Sequence, residues 1–317
     1  MFDDADDDID ALAERAADPD PGIRRVAMLA LGECVEPEAE ALLIAGLGDA
    51  DAQVREAAAR ALDEHDSPAA SAALAAALTD PTPAVRQAAA EVLADRKDAS
   101  VGPALIALST HADPFVRAAA LRGLRELTLP AALPAALAAL RDTNADVRQE
   151  AVGVLGYLRD DTTLPALMAL ATDPEPAVRH ATMAALVFVR SGGPGVAALL
   201  AGLHDPNWQV REEAAFALGK AKITEAAEPL SAAMQDAAWQ VRIKAAAALG
   251  KIGNATAVPA LGGALTHEVS NLRKEAAAAL GEIADQSGLA WLEPAANDPD
   301  PDVRKLIRWA MDRCRAA

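Results

Sequence analysis

Residues 236–261 read DAAWQVRIKAAAALGKIGNATAVPAL, and variants of this stretch recur along the whole chain. The Val-Arg pair inside it, or a close variant, supplies a repeated arginine, which is Arg24, Arg55, Arg86, Arg117, Arg148, Arg179, Arg211, Arg242, Arg273 or Arg304. Successive arginines are 31 residues apart, except that the gap between Arg179 and Arg211 is 32. A period this regular predicts a repeat architecture, in which each unit packs on its neighbours.

An apolar stripe accompanies the repeated arginines. In the quoted stretch Val241 precedes Arg242, and Ala245, Ala248 and Leu249 follow it by three, six and seven residues. On an α-helix these offsets lie on one side. The pattern therefore predicts a helix around each repeated arginine, called the arginine helix below, with the stripe facing the core.

Both ends of the arginine helix carry a recurring residue. An aspartate stands six residues before most of the arginines, as Asp205 stands before Arg211, and proline often follows it. Because aspartate caps helices and proline suits the first helical position, we predict that the helix begins there. A glycine after the stripe leucine predicts the helix end, and the glycines in this position are Gly32, Gly156, Gly219, Gly250 and Gly281.

A second, shorter apolar segment separates successive arginine helices, as at 38–47 and 164–171. The chain is 52% hydrophobic but only 3% aromatic, and alanine makes up much of the apolar fraction. Alanine and leucine favour helices, and small side chains let helices pack closely. Two helices in every 31 residues, without runs of β-branched and aromatic residues, predict an all-α protein.

The repeat resembles the short HEAT-like repeat named after the phycobilin lyases, most clearly over 236–242 and 249–261. The resemblance covers essentially the whole chain. It implies a right-handed α-solenoid of ten HEAT-like two-helix repeats, forming a single domain over 1–317. That broad family includes bilin-attachment subunits, phycobilisome-degradation factors, deoxyhypusine hydroxylase and many bacterial scaffolds. The matching residues are structural, so the resemblance transfers no functional residue.

The sequence offers little catalytic chemistry. The hydroxylases of that family hold two irons with several His-Glu pairs, whereas this chain has the single pair His267-Glu268. Among its five histidines, His180 and His204 fall in adjacent repeats, but no third ligand accompanies them. The glycine-rich segment 191–195 lacks the Lys-Ser/Thr of a phosphate-binding loop and is interpreted as a turn. We therefore predict no catalytic residue, metal or cofactor.

Charge and cysteine content limit the partners and the compartment. The net charge is −18 and the pI is about 4.6, which disfavours general binding to nucleic acid. The N-terminus is acidic, unlike a signal peptide, and no apolar run is long enough to span a membrane. Cys34 and Cys314 lie in the first and last repeats and are predicted to be buried free thiols. We expect a cytoplasmic protein, and a monomer.

The arginine and aspartate series has two interpretations. A strip of arginines could bind anions, but a repeated Asp and a repeated Arg at constant spacing are explained most simply by pairing within or between neighbouring repeats. We predict the structural pairing.

Partner binding is expected where the repeats differ. The offsets −2, +1, +2, +5 and +9 from the arginine lie together, away from the apolar stripe. The resemblance implies that they line a concave groove. Repeats five to eight place five of the nine aromatic residues on or beside this surface, together with charged residues. The candidate partner-binding residues are Tyr157, His180, Phe188, Trp208, Glu212, Phe216, Lys220, Trp239, Ile243, Lys244 and Lys251.

This surface predicts a non-enzymatic scaffold or adaptor that binds a protein or peptide. The alternative is a maturation or assembly factor resembling the bilin-lyase subunits, which would hold an apoprotein or a tetrapyrrole-like ligand. Trp208 and Trp239 also fit a role in packing between repeats, because both stand in the same Trp-Gln-Val-Arg context.

Overall fold

The computed structural model describes residues 9–316, which divide into two compact units, 9–158 and 159–316. The described residues contain α-helices, short 3-10 turns and irregular connections, without a strand. Each unit is a stack of helix pairs in which an arginine helix packs on the arginine helix of the next repeat. The predicted α-solenoid class is confirmed.

The first unit contains five helix pairs. The first helices of these pairs are α1 (Ile9–Ala16), α3 (Pro37–Gly46), α5 (Pro68–Ala77), α7 (Gly102–Leu108) and α9 (Leu133–Ala139). The arginine helices are α2 (Pro21–Leu31), α4 (Ala52–Ala61), α6 (Pro83–Ala94), α8 (Pro114–Leu127) and α10 (Ala145–Leu158).

The second unit repeats this arrangement. Its first helices are α11 (Leu164–Ala169), α13 (Val196–Gly202), α15 (Ala227–Ala233), α17 (Val258–Ala264) and α19 (Leu289–Leu292). Its arginine helices are α12 (Pro176–Ala185), α14 (Trp208–Lys220), α16 (Trp239–Ile252), α18 (Ser270–Ile283) and α20 (Pro301–Ala316). Segment 191–195 forms the predicted turn, with Gly192 and Gly195 at positive φ.

The apolar stripe forms the core, as predicted. In α14 the residues Val210, Ala214, Ala217 and Leu218 are all buried. The corresponding Ile23 of α2 is exposed, because no earlier arginine helix covers it among the described residues. Further along the stripe of α2, Ala27 and Leu31 are completely buried.

The predicted N-cap position is wrong by two residues. The arginine helices α2, α8 and α14 begin after Asp20, Asp113 and Asn207, whose side chains accept a hydrogen bond from a backbone amide of the first turn. The aspartate of the repeat, or His111 in the case of α8, lies two residues earlier. Asp205, for example, accepts the amide of Asn207 at 2.8 Å. Its carboxylate is held before the helix because it also binds an arginine of the preceding repeat.

The predicted role of the repeat glycines is also wrong, except at Gly32, which follows the last residue of α2. Gly156, Gly219, Gly250 and Gly281 lie inside helices that continue past them. A Cβ at Gly219 would stand 2.5 Å from the backbone of Ala248, and one at Gly281 would stand 2.2 Å from the ring of Trp309. At these two positions glycine permits close packing of successive arginine helices rather than helix termination.

The cysteine prediction holds for one residue of the two. Cys314 lies buried in α20, and burial raises the pKa of its thiol. Cys34, by contrast, is only half-buried. It misses the core because α2 ends at Leu31, so that Cys34 lies in the following turn rather than on the helical stripe.

The pairing of arginine with aspartate is confirmed, and it joins neighbouring repeats. Arg211 donates from Nε to Asp236 Oδ2 at 2.7 Å and from Nη2 to Oδ1 at 2.8 Å, while its Nη1 binds the carbonyl of Asp205 at 2.8 Å. Equivalent pairs join Arg24 to Asp49, Arg55 to Asp80, Arg117 to Asp142, Arg179 to Asp205 and Arg273 to Asp298. Each guanidinium thus links the start of its own repeat to the start of the next.

Two of these pairs are interrupted by histidine. His111 and His267 occupy the aspartate position, and the arginines that face them, Arg86 and Arg242, each have a buried Nε without a hydrogen-bond partner. His267 Nδ1 accepts the amide of Val269 at 3.0 Å, so a neutral ring carries its proton on Nε2. Nε2 lies 2.9 Å from Arg242 Nη1 and, being a donor itself in this tautomer, cannot accept a hydrogen bond from it. The histidine at position 267 therefore leaves the buried Nε–H of Arg242 without an acceptor.

Replacing His267 with aspartate is expected to stabilise the second unit by about 1–2 kcal/mol, because a carboxylate would satisfy both Arg242 nitrogens and the Val269 amide. Thermal unfolding followed by circular dichroism measures the change. His204→Asp is the matched control, since His204 is exposed and lies outside the pairs. A melting temperature that is unchanged or lowered by His267→Asp would contradict this account.

Candidate functional site

Three lysines surround one phenylalanine in the second unit. The Nζ atoms of Lys220, Lys244 and Lys251 lie 5.7, 5.6 and 5.6 Å from the centroid of the Phe216 ring. The ring is half-buried, while Lys220 and Lys251 are exposed. All four residues belong to the predicted partner-binding set, and the structure brings them together. We call these four residues the Phe216 cluster.

The cluster is built by two adjacent arginine helices. Phe216 and Lys220 are four residues apart on α14, so their side chains are neighbours on one side of that helix. Lys244 and Lys251 are seven residues apart on α16, which is about two turns, so they lie on one side of that helix. Because α14 packs on α16, all three lysines meet around the same ring.

The lysines of the cluster are not held by carboxylates. The Nζ atom of Lys274, on the next arginine helix α18, lies 3.3 Å from Oδ2 of Asp300 and 3.3 Å from Oδ2 of Asp302. By contrast, none of the three cluster lysines forms an ion pair with any carboxylate of residues 9–316. Attraction between each ammonium group and the ring face is their principal described contact, so their N–H donors remain open to a ligand.

The carboxyl of Glu213 borders the cluster on the side that faces α12. Burial raises the pKa of Glu213, and the charge of Glu212 adds to that rise, while His180, Lys244 and Lys220 act against it. His180 Nε2 lies 3.7 Å from Glu213 Oε2. The structure thus places the predicted residues His180 and Glu212 beside the cluster, joined to it through Glu213.

A second carboxyl borders the cluster toward α18 and was absent from the predicted set. Burial raises the pKa of Glu275, and repulsion from Glu282 adds to it, while Lys251 and Lys244 lower it. Glu275 stands two residues after Arg273, the offset that Glu213 has from Arg211 and Lys244 has from Arg242. This common offset is the signal in the sequence that identifies Glu275, which lies in repeat nine, beyond the repeats that carry the predicted set.

The remaining predicted residues lie around or away from the cluster. Trp208 and Trp239 are the first residues of α14 and α16 and are 37% and 43% exposed. Ile243 is half-buried on α16, and Phe188 is half-buried in a 3-10 turn after α12. Tyr157 belongs to the first unit, where it is 49% exposed and Arg125 lies 5.8 Å from its ring centroid.

The described part of the chain contains neither a metal-binding cluster nor a helix that could span a membrane. Within residues 9–316 no group of three or more His, Cys, Asp or Glu side chains is arranged to hold a metal ion. None of the helices in that range is both long enough and apolar enough to cross a membrane.

Solved structures with the same architecture include three that cover nearly all of this chain. A crystal structure of an engineered protein superimposes with a TM-score of 0.55 at 22% identity, covering 97% of this chain and 98% of its own. The E. coli protein YibA gives 0.54 at 20% identity, with 93% and 97% covered. Kap95p, from a study of its binding to RanGDP, gives 0.65 at 14% identity, with 96% of this chain and 50% of Kap95p covered.

Sequence comparison agrees with the architecture. No curated protein matches this chain. The family model described as HEAT repeats matches residues 9–94, 71–145, 133–218 and 196–279, which together span most of the sequence. These matches coincide with the stacked helix pairs of both units, and the chain therefore belongs to the HEAT repeat family.

Proposed function

We propose that this protein is a non-enzymatic scaffold that binds a protein or peptide partner, and that the Phe216 cluster with its neighbouring side chains is the binding site. The observation that carries the proposal is the convergence of three unpaired ammonium groups on one half-buried aromatic ring. Packing between α14 and α16 does not require these charges, because the buried stripes pack together and Arg211 binds Asp236 in the segment before α16.

The composition of the surface supports a protein partner. Aromatic residues with polar neighbours are enriched where proteins bind one another. Trp208 and Trp239 add exposed apolar area at the first turns of the two helices that carry the cluster. Kap95p, which has this architecture and binds RanGDP, is an example of a HEAT-type protein with a protein partner.

The alternative is the assembly factor resembling bilin-lyase subunits. A flat tetrapyrrole-like ligand would need an apolar slot, whereas the ring of Phe216 is covered by charged ammonium groups. The geometry therefore favours a protein or peptide, and a visible absorption band on the purified protein would favour the alternative.

Phe216→Ala is expected to reduce partner capture about tenfold or more, as truncation of a central aromatic contact does at protein interfaces. The effect on the melting temperature should be much smaller than that of a core substitution, because the ring is only half-buried. Immobilised wild type and variant are incubated with the same cell lysate, and bound proteins are compared by quantitative mass spectrometry.

Phe115→Ala is the matched control for this experiment. Phe115 is also half-buried and also has a cation above its ring, since Arg86 lies 5.6 Å from the centroid, but it belongs to the first unit. A partner lost from Phe216→Ala and retained by Phe115→Ala supports the site. Equal capture by wild type and both variants would refute it.

A further inference from the structure

We propose that the Phe216 cluster binds a short acidic peptide segment of the partner, whose aspartate or glutamate carboxylates bridge Lys220, Lys244 and Lys251. This inference rests on the proposed function, and it adds the chemistry of the partner. The starting observation is that three like charges are held together without a counter-charge in direct contact.

The spacing of the ammonium groups suits more than one carboxylate. Each lies 5.6 or 5.7 Å from the same centroid, so no two are farther apart than about twice that distance. Charges at such a separation repel appreciably at physiological salt, where the Debye length is about 8 Å. Carboxylates placed among them would replace this repulsion with charge-assisted hydrogen bonds, because every ammonium group has three N–H donors.

The cluster is also a local exception in an acidic chain. The net charge of the protein is −18, so an acidic partner would be repelled by most of its surface. A short segment of negative charge would be attracted where Lys220, Lys244 and Lys251 converge. Electrostatic complementarity of this kind contributes to the choice of partner and to the register of binding.

Acidic residues on α14 and α18 limit the length of the bound segment. Glu213 on α14 lies near Lys220 and Lys244, and Glu275 on α18 lies near Lys244 and Lys251. A continuous polyanion such as single-stranded nucleic acid would carry its phosphates over these carboxylates and be repelled. A peptide can end its acidic run at that border, so the arrangement favours a peptide with a few clustered carboxylates.

The experiment measures binding of a defined probe by fluorescence anisotropy. The probe is a short fluorescein-labelled peptide with a central run of glutamates, and its partner peptide has glutamine at each of those positions. We expect the 317-residue chain to bind the glutamate peptide about tenfold more tightly at low salt, and the preference to fall as salt is raised. A Lys220→Gln/Lys244→Gln/Lys251→Gln variant should lose the preference.

The matched control variant also removes three lysine charges, at positions outside the Phe216 cluster. In Lys97→Gln/Lys222→Gln/Lys305→Gln three exposed lysines outside the cluster are neutralised, and this variant should keep the preference. Equal binding of the two peptides by wild type would overturn the proposal, as would an unchanged preference in the cluster variant. Tighter binding of a single-stranded oligodeoxynucleotide than of the glutamate peptide would overturn it as well.

The lysate experiment distinguishes failure of this inference from failure of the proposed function. If a Phe216-dependent protein partner is captured but the glutamate peptide is not preferred, the scaffold function stands and the acidic-segment inference is wrong. If no partner depends on Phe216 and the peptide preference is also absent, both are wrong.

Discussion

Asp236→Ala is expected to lower the free energy of unfolding of the second unit by about 3 kcal/mol, the lower end of the range for removing one partner of a buried ion pair. Asp236 accepts two hydrogen bonds from Arg211 and one from the amide of Ala238. Alanine would leave two guanidinium nitrogens and that amide without their acceptor, at a junction between repeats. Urea unfolding followed by circular dichroism measures the loss.

The same substitution should change the response to acid. Hydrogen bonds from Arg211 are the main cause that lowers the pKa of Asp236 below its ordinary value of 3.8, and burial opposes them. A carboxyl whose folded-state pKa is lowered stabilises the fold above its unfolded pKa, and that contribution is lost as pH falls through the folded pKa. The stability difference between wild type and Asp236→Ala should therefore be largest near neutral pH and shrink below about pH 4.

Glu228→Ala provides the control for loss of a carboxylate. Glu228 is exposed on α15, and its removal should change stability by less than about 0.5 kcal/mol. If Asp236→Ala proved as mild as Glu228→Ala, or if its cost stayed constant down to the acid unfolding transition, the Arg–Asp pairs would not stabilise the stack as proposed.

Leu218→Ala is expected to cost about 2–5 kcal/mol, because the side chain is completely buried and its truncation leaves a cavity between helices. Leu218 lies on the same helix as Phe216 but on the apolar stripe. The variant should retain the peptide preference of the Phe216 cluster at temperatures where it remains folded. Urea unfolding and the anisotropy assay together separate packing from binding on α14.

Val35→Ala serves as the exposed counterpart of Leu218→Ala. Val35 is 92% exposed, so its truncation should leave the free energy of unfolding within about 0.5 kcal/mol of wild type. A similar cost for the two substitutions would show that burial on the stripe is not what stabilises the arginine helices.

Much of the fold was predictable because it depends on spacing along a single helix. Val210, Ala214 and Leu218 lie on one side of α14 by helical geometry alone, and the structure buries all three. The pairing of Arg211 with Asp236 was predictable in kind, since both residues recur with the same period. A repeat architecture converts such local regularities into contacts between neighbours.

The starts of the arginine helices and the role of the repeat glycines could be determined only from the tertiary structure. Asp205 has the chemistry of an N-cap, yet Asn207 caps α14, because the carboxylate of Asp205 is held by Arg179 from the preceding repeat. Gly219 has the chemistry of a helix terminator, yet its role depends on how closely Ala248 of the next helix approaches. Both outcomes are decided by competition between a local contact and one from a neighbouring repeat.

The candidate site, too, was predictable only in part from the sequence. The sequence by itself determined that aromatic and charged residues concentrate at the variable positions of repeats five to eight. The tertiary structure alone decided that Lys244 and Lys251 reach Phe216, and that Tyr157 belongs to the other unit. The physical reason is that helical periodicity gives the side of a helix on which a residue lies, whereas the register between packed helices gives the neighbours that it meets.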